Sequence, residues 1–133
     1  MKGRVSIAVL LSIAGFAGCA GPTPKGDPGH WTMTLYLCRN YQTDQKTAYD
    51  AAKKYFADKG YSSVEDNFRA KDSVLHGFAG PEASKQSLII RTIRLTPDLT
   101  QVQFKAGPAY NMMATSAMMD EFQRLLPQAA QPK

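Results

Sequence analysis

The chain has 133 residues, a length that fits one folded domain rather than two. Its hydrophobic fraction of 44% and its charged fraction of 20% are ordinary for a globular protein and exclude wholesale disorder. The formal net charge is +5, but basic and acidic residues are interspersed along the chain rather than gathered in one block. A surface that follows nucleic-acid phosphates needs clustered cations, so we expect no nucleic-acid partner.

The first residues have the three parts of a secretory signal. Lys2 and Arg4 supply positive charge, an apolar run follows from Val5 to Phe16, and small residues precede Cys19. A membrane span needs about 20 apolar residues, and this run is shorter. We therefore predict a signal peptide at 1–18 that is cut off after export.

The cleavage site (FAGC, 16–19) resembles the lipobox of bacterial lipoproteins, in which small residues precede a lipid-bearing cysteine. Phe16 stands where that pattern usually has Leu. The resemblance implies lipid attachment at Cys19, and two or more acyl chains anchor a protein stably. Because Ala20 is not the Asp that retains lipoproteins in the inner membrane, it also implies the outer membrane, with the domain in the periplasm or at the cell surface. The alternative is an ordinary signal cleaved after Ala20, which would discard Cys19.

The segments at either end of the predicted domain are poor in large apolar residues. Residues 19–29 are mostly Pro, Gly and small polar types, which predicts a flexible tether. Residues 128–133 (QAAQPK) predict a disordered tail, and the single folded domain is then 30–127.

The predicted domain begins with a strand and a helix. His30–Cys38 (HWTMTLYLC) alternates between apolar and polar residues, so we expect one strand with an apolar face made by Trp31, Met33, Leu35 and Leu37. Thr43 or Asp44 is a suitable N-cap for a helix that ends near Lys59, where Gly60 can adopt the left-handed conformation. The apolar stripe of this helix is Ala48, Ala52, Tyr55 and Phe56.

Four strand-like segments and a second helix follow. The segments are 63–70, 74–79, 87–95 and 100–106, and 87–95 has the densest β-branched content, as a central strand would. The second helix is predicted at 109–126, with Met118, Phe122, Leu125 and Leu126 on one stripe. This predicts an α+β fold: an antiparallel sheet of four to five strands with two helices on one face, in the order β-α-β-β-β-β-α.

This order resembles a group of small bacterial lipoproteins that share a domain of unknown function. The matching features are AYDAAKKYFADKGY, similar to their Ala-rich helix with a Gly-aromatic end, and TQVQFKAGP, similar to their strand that runs into Gly before the last helix. The resemblance covers roughly Thr47 to Leu126. It supports the fold and implies no particular activity.

No set of residues has the spacing that a known chemistry requires. His30 and His76 are the only histidines, and paired His or CxxC motifs are absent from the sequence, so we predict no metal site, no catalytic residue and no cofactor. Cys38, without a partner once Cys19 is acylated, is expected to be buried as a small hydrophobe.

The expected function is therefore non-enzymatic binding of another cell-envelope component, with protein favoured as the partner, through an open sheet edge or a helix groove. The alternatives are a carrier of a small ligand or of a metal such as copper, and, less favoured, a minor hydrolase. The copper alternative depends on the methionines, since thioethers bind copper(I). Met112 and Met119 are two turns apart on the second helix, where methionines more commonly fill a core.

Overall fold

A computed structural model describes residues 21–107 and 111–132, so the predicted signal peptide and Cys19 lie outside the described part of the chain. Within these ranges the elements are β1 (His30–Trp31), β2 (Leu37–Tyr41), α1 (Gln45–Lys59), β3 (Ser62–Phe68), β4 (Asp72–Ala79), β5 (Gln86–Thr96), β6 (Leu99–Gly107) and α2 (Met112–Gln123). Single 3-10 turns lie at Glu82–Ser84 and Gln128–Ala130.

The six strands form one antiparallel sheet in the order β1-β2-β6-β5-β4-β3. The predicted α+β class, antiparallel sheet and two helices are confirmed. The predicted strand count and order were wrong, because the sheet has six strands and the order is β-β-α-β-β-β-β-α. The segment predicted as the central strand, β5, is one of the two middle strands.

The difference arises at the first predicted strand, which is a hairpin. β1 and β2 pair through His30 with Cys38 and Trp31 with Leu37, and a turn separates them. The turn is closed by the backbone N–H of Thr32, which donates to the carbonyl of Tyr36 at 2.9 Å, and by the Thr32 hydroxyl, which accepts from the Tyr36 N–H at 3.0 Å. Alternation continues through these residues, so the turn leaves no mark in the hydrophobic pattern.

One face of the sheet carries the hydrophobic core. Leu75, Ile90, Phe104 and Leu37 lie opposite one another on four neighbouring strands and form a continuous buried row. Both helices pack on this face, because apolar residues of α1 and α2 belong to the same cluster. The ring of Phe104 lies at its centre, in contact with an aromatic ring from each helix. Neither helix covers the opposite face.

The ends of α1 follow the capping chemistry expected from the sequence. A carboxylate oxygen of Asp44 accepts a hydrogen bond from the backbone N–H of Thr47 at 3.0 Å, which satisfies a donor left free by the first turn. At the other end Gly60 has a φ of +76°, and the N–H of Tyr61 donates to the carbonyl of Phe56 at 2.9 Å. The predicted helix over 44–59 is therefore confirmed.

The described part of the predicted tether lies against β2. Thr23 and Asn40 exchange two hydrogen bonds: the Thr23 N–H donates to the Asn40 carbonyl, and the Thr23 hydroxyl accepts from the Asn40 N–H, both at 2.8 Å. Gly29, with a φ of +91°, lies so close to Cys38 that a Cβ there would collide with the Cys38 carbonyl oxygen. Residues 21–29 thus extend the folded domain in this structure instead of separating it from the N-terminus.

The C-terminal residues also differ from the prediction. Gln128–Ala130 form a 3-10 turn rather than an irregular tail, and Ala130 is buried in the core cluster. Among the residues that the structure describes, no helix is both long enough and apolar enough to cross a membrane.

Candidate functional site

The tip of the β1–β2 hairpin holds apolar side chains in solvent. Met33 is fully exposed, at 101% of its reference area, and Leu35 is 43% exposed. Leu35 also has a φ of +71°, the only positive φ at a non-glycine residue of the described chain. The left-handed region costs a residue with a Cβ roughly 1–2 kcal/mol, and such strain is concentrated at functional sites. An exposed leucine in a strained turn is therefore a candidate binding residue.

The start of α2 lies at the same end of the sheet. β6 runs toward this end, since Leu37 at the start of β2 pairs with Phe104 while Tyr41 pairs with Thr100. Here Met112 is about half exposed, and Met113 is 84% exposed. Such flexible, polarizable side chains are common where a surface has to fit a partner.

A groove of about 420 Å³ joins these two elements, and its accessible lining is mainly apolar. Its lining residues are Pro28, Trp31, Met112, Met113, Ser116, Ala117 and Asp120. We call this groove, together with Met33 and Leu35 at the neighbouring hairpin tip, the distal patch. Exposed apolar groups collected at one end of a small domain are typical of an interaction surface.

A buried arginine lies beside this groove. Arg39 is only 4% exposed, and its Nε donates to the carbonyl of Pro28 at 3.0 Å. Its Nη1 donates to a carboxylate oxygen of Asp120 at 2.7 Å and to the Gln123 amide oxygen at 3.2 Å, and its Nη2 donates to the hydroxyl of Ser116 at 3.1 Å. Arg39 therefore fixes α2 and the N-terminal segment, which supply the groove's lining, to β2. We call this group of contacts the Arg39 cluster.

Cys38 lies on the sheet face that the helices leave uncovered, but its own side chain is buried, as predicted. Burial raises the pKa of its thiol to about 11, and the nearby Arg91 guanidinium lowers it only in part. A thiol that stays protonated at neutral pH is a poor nucleophile. This environment suits the predicted structural role of Cys38.

The structure does not bring together the residues of the copper hypothesis. Met119 is buried in the core, whereas Met112 lies at the surface. His30 and His76 pair with different strands, and among the described residues no group of three or more His, Cys, Asp or Glu side chains is placed to hold a metal ion. The predicted lipid-attachment residue, Cys19, lies outside the described residues.

The sheet edge was the other surface predicted to bind a partner, and the longer of the two edge strands is β3. All seven of its residues are exposed, but a register shift between Ser63 and Glu65 interrupts its pairing with β4. Irregularity and charged side chains such as Glu65 and Asp66 are the devices by which proteins prevent pairing at a sheet edge. The distal patch is the better candidate.

The sequence singled out Met112 as a candidate copper ligand and placed Trp31, Met33 and Leu35 on the apolar face of a strand, but it did not predict this surface. Leu37 and Tyr41, two positions either side of Arg39, mark the core face of β2, and this spacing is the signal that places Arg39 on that face. Its partners are 77 and 81 positions away at Ser116 and Asp120, and no local pattern encodes such contacts. A comparison with protein-family models finds no match, and a comparison with curated protein sequences finds none either.

The Arg39 cluster should be required for the N-terminal segment to stay in place. In Arg39→Met the charged hydrogen bonds to α2 and to Pro28 are lost, so we expect the free energy of unfolding in urea to fall by about 2–3 kcal/mol. We also expect faster trypsin cleavage after Lys25. Lys54→Met is the matched control, because Lys54 forms an exposed pair with Asp58 that contributes at most about 1 kcal/mol. Equal unfolding free energies for the two variants would contradict a structural role for the cluster.

The Cys38 thiol should become reactive only on unfolding. A pKa of about 11 leaves far less thiolate near neutrality than an ordinary thiol has, so reaction with an aromatic disulfide reagent at about pH 8 should be at least about a hundredfold slower in the folded protein than in urea. Because the pKa of the Cys38 thiol is higher in the folded state, the folded protein keeps the thiol proton up to a higher pH than the unfolded chain does. The stability from this group is then fully present below the ordinary thiol pKa and is lost as pH rises toward about 11. Cys38→Ala should show a smaller alkaline loss, and an identical loss would contradict the assignment.

Proposed function

We propose that this chain is a lipid-anchored lipoprotein of the outer membrane that has no enzymatic activity and binds another protein of the cell envelope through its distal patch. The domain would lie in the periplasm or at the cell surface. The anchor is supported by the signal pattern that ends at Cys19. The sequence contains no motif that would bring catalytic side chains together, and this favours a binding role.

One observation carries the proposal: the distal patch lies at the end of the sheet opposite the point where the chain leaves toward Cys19. Thr23 is fixed beside Asn40, near the end of β2, whereas the hairpin tip precedes the start of β2. A domain held at one end by acyl chains would then keep Met33, Leu35 and Met113 at the end of the sheet farthest from the anchor, where a partner can reach them.

The chemistry of the distal patch suggests a partner with apolar side chains on a helix or an extended segment. The groove between Trp31 and Met113 offers an apolar lining, with Asp120 and Ser116 among the lining residues as hydrogen-bond partners. Amphipathic helices bind in grooves of this composition. Because Asp120 is held by Arg39, the partner would meet a groove wall that is already fixed, which lowers the entropy cost of binding.

The partner surface can be tested by photocrosslinking in intact cells. A photoreactive amino acid at Met113 should give a discrete crosslinked product, because Met113 lies in the groove. The same amino acid at Val64, which is 64% exposed on β3, should give none. Leu35→Asn should weaken the Met113 product without loss of stability, since Asn tolerates the left-handed conformation better than Leu. Equal crosslinking from both positions, or an unchanged product in Leu35→Asn, would contradict the proposal.

The anchor can be tested separately by labelling cells with a radioactive fatty acid. The wild-type chain should carry the label and fractionate with the outer membrane, because acylation of Cys19 supplies more than one chain. Cys19→Ser should lose the label and leave the membrane fraction. Cys38→Ser, which changes the buried cysteine, is the matched control and should keep both. Label that persists in Cys19→Ser would show that Cys19 is not the attachment site.

A further inference from the structure

The sheet face that neither helix covers carries its own pattern of side chains. Two adjacent rows cross it: Val74, Arg91, Gln103 and Cys38 in one, and His76, Ile89 and Lys105 in the next. The Arg91 guanidinium lies 5.5 Å and the Lys105 ammonium 5.6 Å from the ring centre of Tyr36. Apart from the buried Cys38 and Gln103, the side chains of both rows are partly exposed. We call this surface the open face.

Ion pairing differs sharply between the two sides of the sheet. The lysines of α1 each have a carboxylate partner within 3.6 Å: Lys46 with Asp50, Lys53 with Asp66, Lys54 with Asp58 and Lys59 with Glu121. In the described part of the chain, Arg91 and Lys105 form no ion pair. The helical side is therefore locally neutralised, whereas the open face carries two cations that no carboxylate of the described residues pairs directly.

One carboxylate of the open face offsets this charge in part. Glu65, at the β3 edge opposite His76, lies close enough to Tyr36 for its charge to add to burial in raising the pKa of the Tyr36 hydroxyl, whereas Asp72 is already paired with Arg69. At the end where the N-terminal segment leaves the domain, Arg94 and Lys71 lie together through a backbone hydrogen bond of 2.8 Å. Neither of these two cations forms an ion pair with a described carboxylate.

A chain of amide hydrogen bonds links the open face to the N-terminal segment. Arg91 donates to the Gln103 amide oxygen at 3.4 Å, Gln103 donates to that of Gln101 at 2.8 Å, and Gln101 donates to that of Asn40 at 3.1 Å. Asn40 completes the chain by donating to the carbonyl of Gly21 at 3.1 Å. Gly21 is therefore fixed at the margin of the open face.

The distance from this point to the anchor is short. Gly21 is two residues after Cys19, and two residues span at most about 7 Å. The flexible tether predicted over 19–29 would have let the domain stand well away from the bilayer. With residues 21–29 packed on β2, acyl chains on Cys19 would hold the edge of the open face within about one headgroup layer of the lipid.

We propose that the open face rests on an anionic lipid surface, with Arg91 and Lys105 facing the headgroups and Gly21 next to the point where the chain enters the bilayer. This inference rests on the lipid anchor of the proposed function. Each basic side chain near an anionic bilayer adds about fivefold to binding. Tyr36 lies against both cations, and Val74 and Ile89 lie beside them on the sheet. This composition suits the membrane interface, where aromatic rings and basic groups are enriched.

Chemical footprinting of the purified lipidated protein in vesicles tests this orientation. Protein in vesicles of phosphatidylcholine and phosphatidylglycerol is treated with an acetylating reagent, and modification of Lys105 and Lys54 is measured by mass spectrometry. We expect acetylation of Lys105 to slow by about fivefold relative to Lys54, the effect of one basic contact with an anionic surface. The protection should disappear at high salt, which screens the attraction, and in vesicles of phosphatidylcholine alone.

Each other outcome overturns the inference. Equal protection of both lysines, or protection of Lys54 alone, means that the open face is not directed at the lipid. Protection of Lys105 that persists in neutral vesicles or in detergent means that something other than an anionic surface covers it. Mass spectrometry of the N-terminal peptide reports in the same sample whether Cys19 is acylated, so failure of the anchor is distinguished from failure of the orientation.

A pair of variants separates contact with lipid from a change in folding. In Arg91→Gln the acetylation of Lys105 in anionic vesicles should return toward its rate in neutral vesicles, because one of the two attracting charges is gone. Lys54→Gln removes the same charge from the helical side and should leave the protection of Lys105 unchanged. Urea unfolding of both variants shows that they are folded. Unchanged protection in Arg91→Gln would contradict a contact through Arg91.

Discussion

The buried guanidinium of Arg39 is the interaction on which the arrangement of this domain depends. A cation removed from water is tolerated only when its donors find acceptors, and Arg39 finds them in two separate parts of the chain, the N-terminal segment and α2. It lies on the core face of β2, and its charged donors bind both the segment before β1 and the middle of α2. These bonds fix the wall of the groove, and together with the hydrogen bonds of Asn40 to Thr23 and Gly21 they fix the position of the N-terminal segment.

Because the N-terminal segment is fixed on β2, the two proposed interactions fall on separate surfaces. The open face carries cations without carboxylate partners, whereas the lysines of α1 are paired. The distal patch is apolar and lies at the other end of β2 from Thr23. A protein held at a lipid surface on one side and free at one end can bind a partner without leaving the membrane. The positive charge of the open face thus suits a lipid surface, and the apolar distal patch suits a protein partner.

Local signals in the sequence predicted those parts of the fold that depend on residues close together in the chain. Asp44 and Gly60 predicted the ends of α1, since capping depends on residues within one turn. The β1–β2 hairpin was missed because its turn, from Thr32 to Leu35, contains neither Gly nor Pro and keeps the alternation of a strand. The packing of residues 21–29 was missed for a different reason. Backbone hydrogen bonds and one distant arginine hold this segment, and neither leaves a hydrophobic pattern in its own sequence.

The strand order also bears on when the domain can form. β3 to β6 are connected in sequence and can pair as they are made, but β2 pairs with β6, so partners such as Asn40 and Gln101 are 61 positions apart. Contacts between distant residues form late, because a long loop has to close first. In a chain translated from its N-terminus, β2 therefore could not pair with β6 until synthesis is almost finished. If the chain is exported as proposed, this delay would be useful, since a translocation channel threads an extended chain and not a finished sheet.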